Sequence, residues 1–113
     1  MMTQTPSQPA LLPATDDSRF DSDVASAPFV LVEFGGAWCT ACHALEPTLG
    51  LIARDRADVR VLTLDVDASP KVAQRYGVRT LPTLITFRNG KPVGQLVGNQ
   101  RRQAIEKLLA GKS

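Results

Sequence analysis

The 113-residue chain holds two cysteines, both in Trp38-Cys39-Thr40-Ala41-Cys42-His43. They stand where an apolar, β-branched run ending at Phe34 passes through Gly35-Gly36 into a segment of helical spacing. A thiol at the start of a helix faces unpaired backbone N–H groups and the positive end of the macrodipole. Both favour the thiolate and bring the pKa below the roughly 8.5 of a free cysteine. A spacing of three residues puts the second sulfur about one helical turn away. That is within reach of a disulfide, whose Cα atoms tolerate separations of roughly 4.4 to 6.8 Å. A bridge across so small a loop adds little stability by constraining the unfolded chain, so the pair reads as reactive.

Two other uses of the same residues compete. Tetrahedral structural zinc takes four ligands, and two cysteines with the chain's single histidine do not supply them. Cys39-Thr40-Ala41-Cys42-His43 also fits the C-x-x-C-H pattern of covalent haem attachment. The strand-rich surroundings, the missing export signal and a core already filled for a domain of this size oppose that reading. His43 otherwise reads as a surface residue that modulates Cys39. Just upstream, Glu33 interrupts the run Phe29 to Phe34. A lone carboxylate in an apolar central strand is desolvated and its pKa raised, which suits either acid–base work or a place in a buried hydrogen-bond network. Trp38, directly before the first cysteine, reads as the wall of a binding site or as core.

The elements that must position these groups follow from pattern. Residues 1–15 contain Pro6, Pro9 and Pro13 among Thr, Gln and Ser and predict a flexible tail, with Ala10 to Leu12 as a short edge strand. Residues 16–113 form one domain. Asp16 or Asp17 caps a helix running to about Ser26 with Phe20 and Val24 inward, and Pro28 ends it. Phe29 to Phe34 is a strand whose two faces are both apolar, as in a central strand covered on both sides. Ala37 to Ala53 is a helix kinked by Pro47. Val59 to Val66 is a strand, and Ser69-Pro70 opens a short helix closed by Gly77. Thr83 to Arg88 and Val93 to Val97 pair through an Asn89-Gly90 hairpin, with Pro92 on an edge. Asn99 caps a last helix with Ile105, Leu108 and Leu109 inward, ending at Gly111. Strands separated by helices predict parallel pairing, to which the hairpin adds an antiparallel strand. The sheet is mixed.

Composition bounds the function classes. An apolar content of 43% with 21% charged residues describes a globular chain and excludes a fibrous or wholly disordered one. No apolar run approaches the roughly 18 to 20 residues of a membrane span, and the opening residues lack a secretory pattern, so the expected location is cytoplasmic. Residues 1–59 carry three Arg against eight acids, and residues 60–113 carry ten Lys or Arg against three acids. The basic residues are scattered and aromatics amount to only 5%, which favours an ordinary solvated surface over a nucleic-acid or lipid patch.

Trp38-Cys39-x-x-Cys42, the strand before it, Pro47, Tyr76-Gly77-Val78-Arg79-Thr80-Leu81-Pro82-Thr83 and Asn89-Gly90 through Val97-Gly98 together resemble the thioredoxin family in order and spacing, over roughly residues 16 to 110. The resemblance implies the thioredoxin fold, an α/β architecture with a central mixed four- or five-stranded sheet and helices on both faces. It implies a redox-active disulfide between Cys39 and Cys42, with Cys39 attacking and Cys42 resolving, and Glu33 taking the Cys42 proton. Pro82, on its own an ordinary trans turn proline, is implied to be cis. Trp38, Leu81, Pro82 and Gly98 would then line a site for an extended protein segment, paired to the Leu81 backbone by strand addition. The expected activity is thiol–disulfide exchange as a monomeric reductant of protein disulfides, fed by a reductase partner, with no organic cofactor, metal, nucleic acid or membrane. The alternative is a binding module of the same fold without turnover. Five residues depart from the family's usual pattern: Glu33 stands for aspartate, Thr63 for a frequent lysine, Gly35 for a second tryptophan, and Thr40-Ala41 for Gly-Pro. The dipeptide changes the thiolate and the helix start, so the potential need not match the roughly −270 mV of ordinary thioredoxin.

Overall fold

A computed structural model describes residues 12–111. In chain order the elements are α1 (Phe20–Val24), β1 (Phe29–Gly35), α2 (Thr40–Asp55), β2 (Arg60–Asp65), α3 (Pro70–Arg75), β3 (Thr83–Arg88), β4 (Lys91–Val97) and α4 (Arg102–Ala110). The four strands form one mixed sheet in the order β2-β1-β3-β4, an α/β thioredoxin fold with four strands.

β1 lies inside the sheet and is buried along its whole length, as its doubly apolar pattern requires. Its even residues Val30, Val32 and Phe34 join Leu62, Leu64, Ile85 and Phe87 beneath α1 and α3. Its odd residues Phe29 and Leu31 join Val61 and Leu84 beneath α2 and α4, against Leu45, Leu49, Ile52 and Ile105. The alternation sends Glu33 and Gly35 to the α2 face. β1 and β2 pair in parallel, with Glu33 opposite Thr63 and Gly35 opposite Asp65. β3 runs antiparallel to β1, although a helix separates it from β2, so the parallel pairing expected of helix-separated strands holds for β1 and β2 alone. The polarity has a consequence. The last residues of β1, β2 and β4 and the first residue of β3 all lie at one end of the sheet.

Several local expectations are corrected. The segment 12–15, counted with the tail, lies along β2: the Pro13 carbonyl accepts from Thr63 N–H at 2.9 Å and Thr15 N–H donates to the Thr63 carbonyl at 2.8 Å. Proline lacks a donor but keeps its acceptor, so one edge contact survives. The bridge falls at Ala14, whereas Ala10 and Leu11 of the expected edge strand lie outside the described residues. α1 begins only at Phe20, and Asp16 instead closes the turn before it by accepting from the N–H groups of Ser18 and Arg19. Asp17 caps a different helix: its carboxylate accepts from Lys71 N–H at 3.1 Å and Val72 N–H at 2.9 Å, at the start of α3. Ser69 makes no side-chain cap there. α4 starts after Arg101 without a side-chain cap, so Asn99 does not cap it. The Gln100 amide bonds the Val97 carbonyl at 2.9 Å, and Arg102 instead ties α4 to α2 through Asp55 at 3.1 Å. α2 starts at Thr40, not at Ala37, and continues through Pro47 to Asp55. Among the described residues no helix is long and apolar enough to cross a membrane.

Candidate active site

The turn from β1 into α2 sets the site. Cys39 N–H donates to the Gly36 carbonyl at 3.0 Å, which folds Ala37 and Trp38 into a turn and delays the helix. Cys39 then becomes the N-cap of α2 in extended backbone conformation (φ −86°, ψ 102°), and its Sγ accepts from Cys42 N–H at 3.1 Å. A sulfur takes the place that a serine or aspartate oxygen occupies in an ordinary cap. No acidic residue lies in the first turn to oppose negative charge on that sulfur. The two sulfurs are joined in a disulfide, with the Cα atoms 5.2 Å apart. Cys39 is 6% exposed and Cys42 1%, so the first sulfur is the more accessible and the second lies beneath it.

Gly35 allows this burial. A Cβ there would stand 3.1 Å from the Cys42 sulfur and 3.2 Å from its Cβ, so the missing side chain lets α2 settle onto the end of β1. The next glycine serves the tryptophan, because a Cβ on Gly36 would meet the Trp38 ring at 3.1 Å. Trp38 is 66% exposed and its Nε1–H donates to Asp67 at 2.5 Å. The ring therefore lines the surface beside Cys39, and the core alternative for Trp38 does not hold.

Glu33 is 1% exposed, and its Oε2 has no hydrogen-bond partner among the described residues. That oxygen takes no part in a buried hydrogen-bond network among the described residues. Burial pushes the carboxyl up from the ordinary 4.5 to about 7, the Glu46 carboxylate adds to the rise, and His43 opposes it. Glu33 lies one pleat from Gly35, and the Cβ position of Gly35 is 3.9 Å from the Glu33 Oε2 and 3.1 Å from the Cys42 Sγ. The acid and the inner sulfur thus flank one small gap.

The remaining residues gather at the same end of the sheet. Pro82 precedes Thr83, which pairs with Phe34 on one side and Val97 on the other. The Leu81–Pro82 peptide bond is cis. Gly98, at φ 87°, donates its N–H to the Pro82 carbonyl at 2.8 Å, and a Cβ there would meet nothing within 4 Å. Among the described residues the Leu81 N–H and carbonyl make no backbone hydrogen bond. Among the described residues Val97 is the other large apolar residue left exposed besides Trp38. Sequence reasoning missed Val97, Asp67 and Glu46. Asp67 closes the apolar strand as a visible acid, and His43 with Glu46 has the i, i+3 spacing that makes neighbours on a helix. No three His, Cys, Asp or Glu side chains among the described residues converge as metal ligands.

Comparison with known proteins agrees with this geometry. The family model described as Thioredoxin matches residues 12–111. A thioredoxin of Alicyclobacillus acidocaldarius is 39% identical over 95 residues, covering 83% of this chain and 90% of the relative. One from Chlamydia muridarum is 40% identical over 92 residues, covering 81% and 89%. Among solved structures, a mutant thioredoxin from Halobacterium salinarum superposes with a TM-score of 0.79 at 34% identity, over 94% of this chain and 91% of that one. The oxidized mitochondrial thioredoxin 3 of Saccharomyces cerevisiae superposes with a TM-score of 0.80 at 25% identity, over 89% and 95%.

Proposed function

Because the chain belongs to the thioredoxin family and is a thiol–disulfide oxidoreductase, we propose that it works as a monomeric reductant of protein disulfides, with Cys39 as nucleophile, Cys42 as resolving thiol and Glu33 as proton acceptor. The observation that carries this reading is the cap: the Cys39 sulfur accepts the Cys42 N–H at the start of α2 and is joined to the Cys42 sulfur beneath it. A donor aimed at the sulfur and the dipole of a 16-residue helix both stabilise the anion more than the thiol.

Reduction of a substrate proceeds in two exchanges. The Cys39 thiolate attacks one substrate sulfur, the substrate S–S bond breaks, and its other sulfur departs as a thiolate that takes a proton from water. The Cys42 thiol passes its proton to Glu33 and attacks the Cys39 sulfur, expelling the second substrate thiolate and closing the Cys39–Cys42 disulfide. The substrate gains two electrons, and a reductase-type dithiol donor returns the pair to its reduced form. Glu33 suits its part because a carboxyl titrating at about 7 both accepts and releases a proton near neutral pH.

The exposed Trp38 and Val97, the free backbone of Leu81 and the open space over Gly98 support docking of an extended substrate segment at this end of the sheet. Family membership implies protein partners of the thioredoxin type, and the reductant role places the work in a reducing compartment such as the cytoplasm. The test is insulin reduction by dithiothreitol, together with the potential of the Cys39–Cys42 couple against glutathione. Acceleration that is lost in Cys39→Ser, and a potential near or below that of the glutathione pool, are expected. Docking of a substrate segment without any acceleration would leave the binding module instead, and a potential far above that pool would make the protein an oxidant.

A further inference from the structure

A cleft of about 170 Å³ opens beside the site and is lined by Glu33, Ala37, His43, Glu46, Thr63 and Asp65, among others. Glu33 is its buried end, while the His43 and Glu46 side chains are 53% and 43% exposed. It opens the acid toward solvent. Its charges are unbalanced, with three carboxyls against one imidazole.

The contacts of His43 favour its charged form. Nε2 lies 2.8 Å from the Ala37 carbonyl, and Nδ1 lies 3.5 Å from the Glu46 carboxylate. A carbonyl only accepts, so Nε2 carries a hydrogen. A carboxylate also only accepts, so a hydrogen on Nδ1 is favoured as well, and the ring that satisfies both partners is the imidazolium. The carbonyl first and Glu46 second hold its pKa above the usual 6.5. These partners act against the macrodipole, which disfavours a cation in the first turn of α2. The other groups facing Glu33 do not take this role. From β2, Thr63 is uncharged and Asp65 is occupied by the N–H groups of Asp67 and Ala68. From β3, the register partner is Leu84.

We propose that His43 is the positioning cation of the Glu33 proton site: its imidazolium, held at the cleft by the Ala37 carbonyl and Glu46, sets how readily the buried carboxyl releases its proton to solvent. This rests on Glu33 being the proton acceptor. His43 touches neither substrate nor sulfur in this role and acts only through Glu33. It supplies from the helix the positive charge that Thr63 does not supply from the neighbouring strand.

The test uses the oxidised full-length protein, in which the bridged cysteines do not titrate, with ¹³C-labelled glutamate carboxyls followed by NMR against pH. His43→Gln keeps a hydrogen-bonding side chain and removes the charge. The Glu33 midpoint is expected to rise by about half to one pH unit, below the one to three units of a close, shielded ion pair because the ring is half exposed. His43→Lys is expected to return the midpoint toward that of the parent. In the reduced protein at pH 7 the ionised fraction of Glu33 would fall by about two- to five-fold in His43→Gln, slowing resolution of the mixed disulfide by the same factor. An unmoved or lowered midpoint in His43→Gln, or no recovery in His43→Lys, overturns the inference. Glu33→Gln separates this from failure of the underlying reading: if that variant resolves the mixed disulfide at the parent's rate, Glu33 is not the acceptor, whatever its midpoint does.

Discussion

Replacing Glu33 by glutamine has a pH signature set by the burial of its carboxyl. The carboxyl titrates at about 7 when folded and at its ordinary 4.5 when the chain is unfolded and solvated. Below the lower value both states hold the proton, and burial of a neutral acid is all that folding requires. Between the two values the unfolded chain ionises while the folded protein keeps its proton. Stability therefore falls as pH rises, by about 1.4 kcal/mol for each pH unit. Above the folded value both states are ionised and the deficit is constant. The gap between the two titrations corresponds to about 3 kcal/mol, a large share of the roughly 5 to 15 kcal/mol that holds a domain together.

Glu33→Gln removes the titration and keeps the shape. Its own burial, including amide hydrogens that must find partners, adds an offset that does not vary with pH. Urea unfolding of the oxidised parent and variant from about pH 4.5 to pH 8.5 isolates the titrating part as the change in their difference. The variant is expected to gain on the parent by about 3 kcal/mol between the acid and alkaline ends, with most of the gain complete by about pH 7.5. Groups not coupled to Glu33 cancel, and His43 and Glu46 leave only a smaller remainder. A difference that stays constant within about 0.5 kcal/mol across that range would refute the reasoning, because an acid titrating alike in both states cannot be the desolvated group described above.

Asp17→Ala should lower stability by about 1 kcal/mol with an unchanged urea slope, since it strips two N–H groups at the start of α3 of their acceptor; urea unfolding measures both. Gly35→Ala should lower the stability of the oxidised protein by about 1 to 3 kcal/mol and slow mixed-disulfide resolution, because its Cβ would stand 3.1 Å from the Cys42 sulfur; unfolding and stopped-flow experiments read the two effects. Asp67→Ala should change the fluorescence of Trp38, the single tryptophan, by freeing its indole N–H. It should also raise KM for a protein disulfide by about two- to five-fold with kcat preserved, since positioning of the docking wall is lost while the sulfurs are untouched.

Elements with strong periodic or turn chemistry were legible from sequence. β3 matches its expected bounds at Thr83 and Arg88, and Asn89-Gly90 adopts the positive φ values that such a turn requires. The cysteine pair was legible for a different reason: its position at a strand-to-helix switch follows from two local patterns that meet. What could not be read depends on contacts between distant residues. Asp17 looks like a local cap, and only the folded chain shows that α3 begins beside it. The parallel rule mistook β3, because β1 occupies the place next to β2 and leaves its other side to an antiparallel partner. Trp38 was ambiguous between wall and core until its bond to Asp67 fixed the ring. The partnership of His43 and Glu46 is visible as helical spacing, but their approach to Glu33 depends on how α2 lies across β1.

The placement of Glu33 shows why the core of this domain was not built for stability alone. A leucine in its place would complete the apolar face formed by Leu31, Leu45 and Leu84 and would remove a buried oxygen that has no partner. Yet the desolvation that weakens the fold above pH 4.5 is the same effect that raises the carboxyl to about 7, where it can take a thiol proton and give it up again. Fully solvated, it would be too weak a base for a thiol; buried with no cleft, it would hold its proton too long. The opening beside His43 and Glu46 supplies the intermediate state: enough burial to raise proton affinity, and enough water and positive charge to let the proton leave. Stability and exchange rate should therefore move in opposite directions across substitutions at position 33, with Glu33→Leu the most stable at neutral pH and among the slowest to resolve a mixed disulfide. A leucine variant that resolved as fast as the parent would separate the two properties and dissolve that connection.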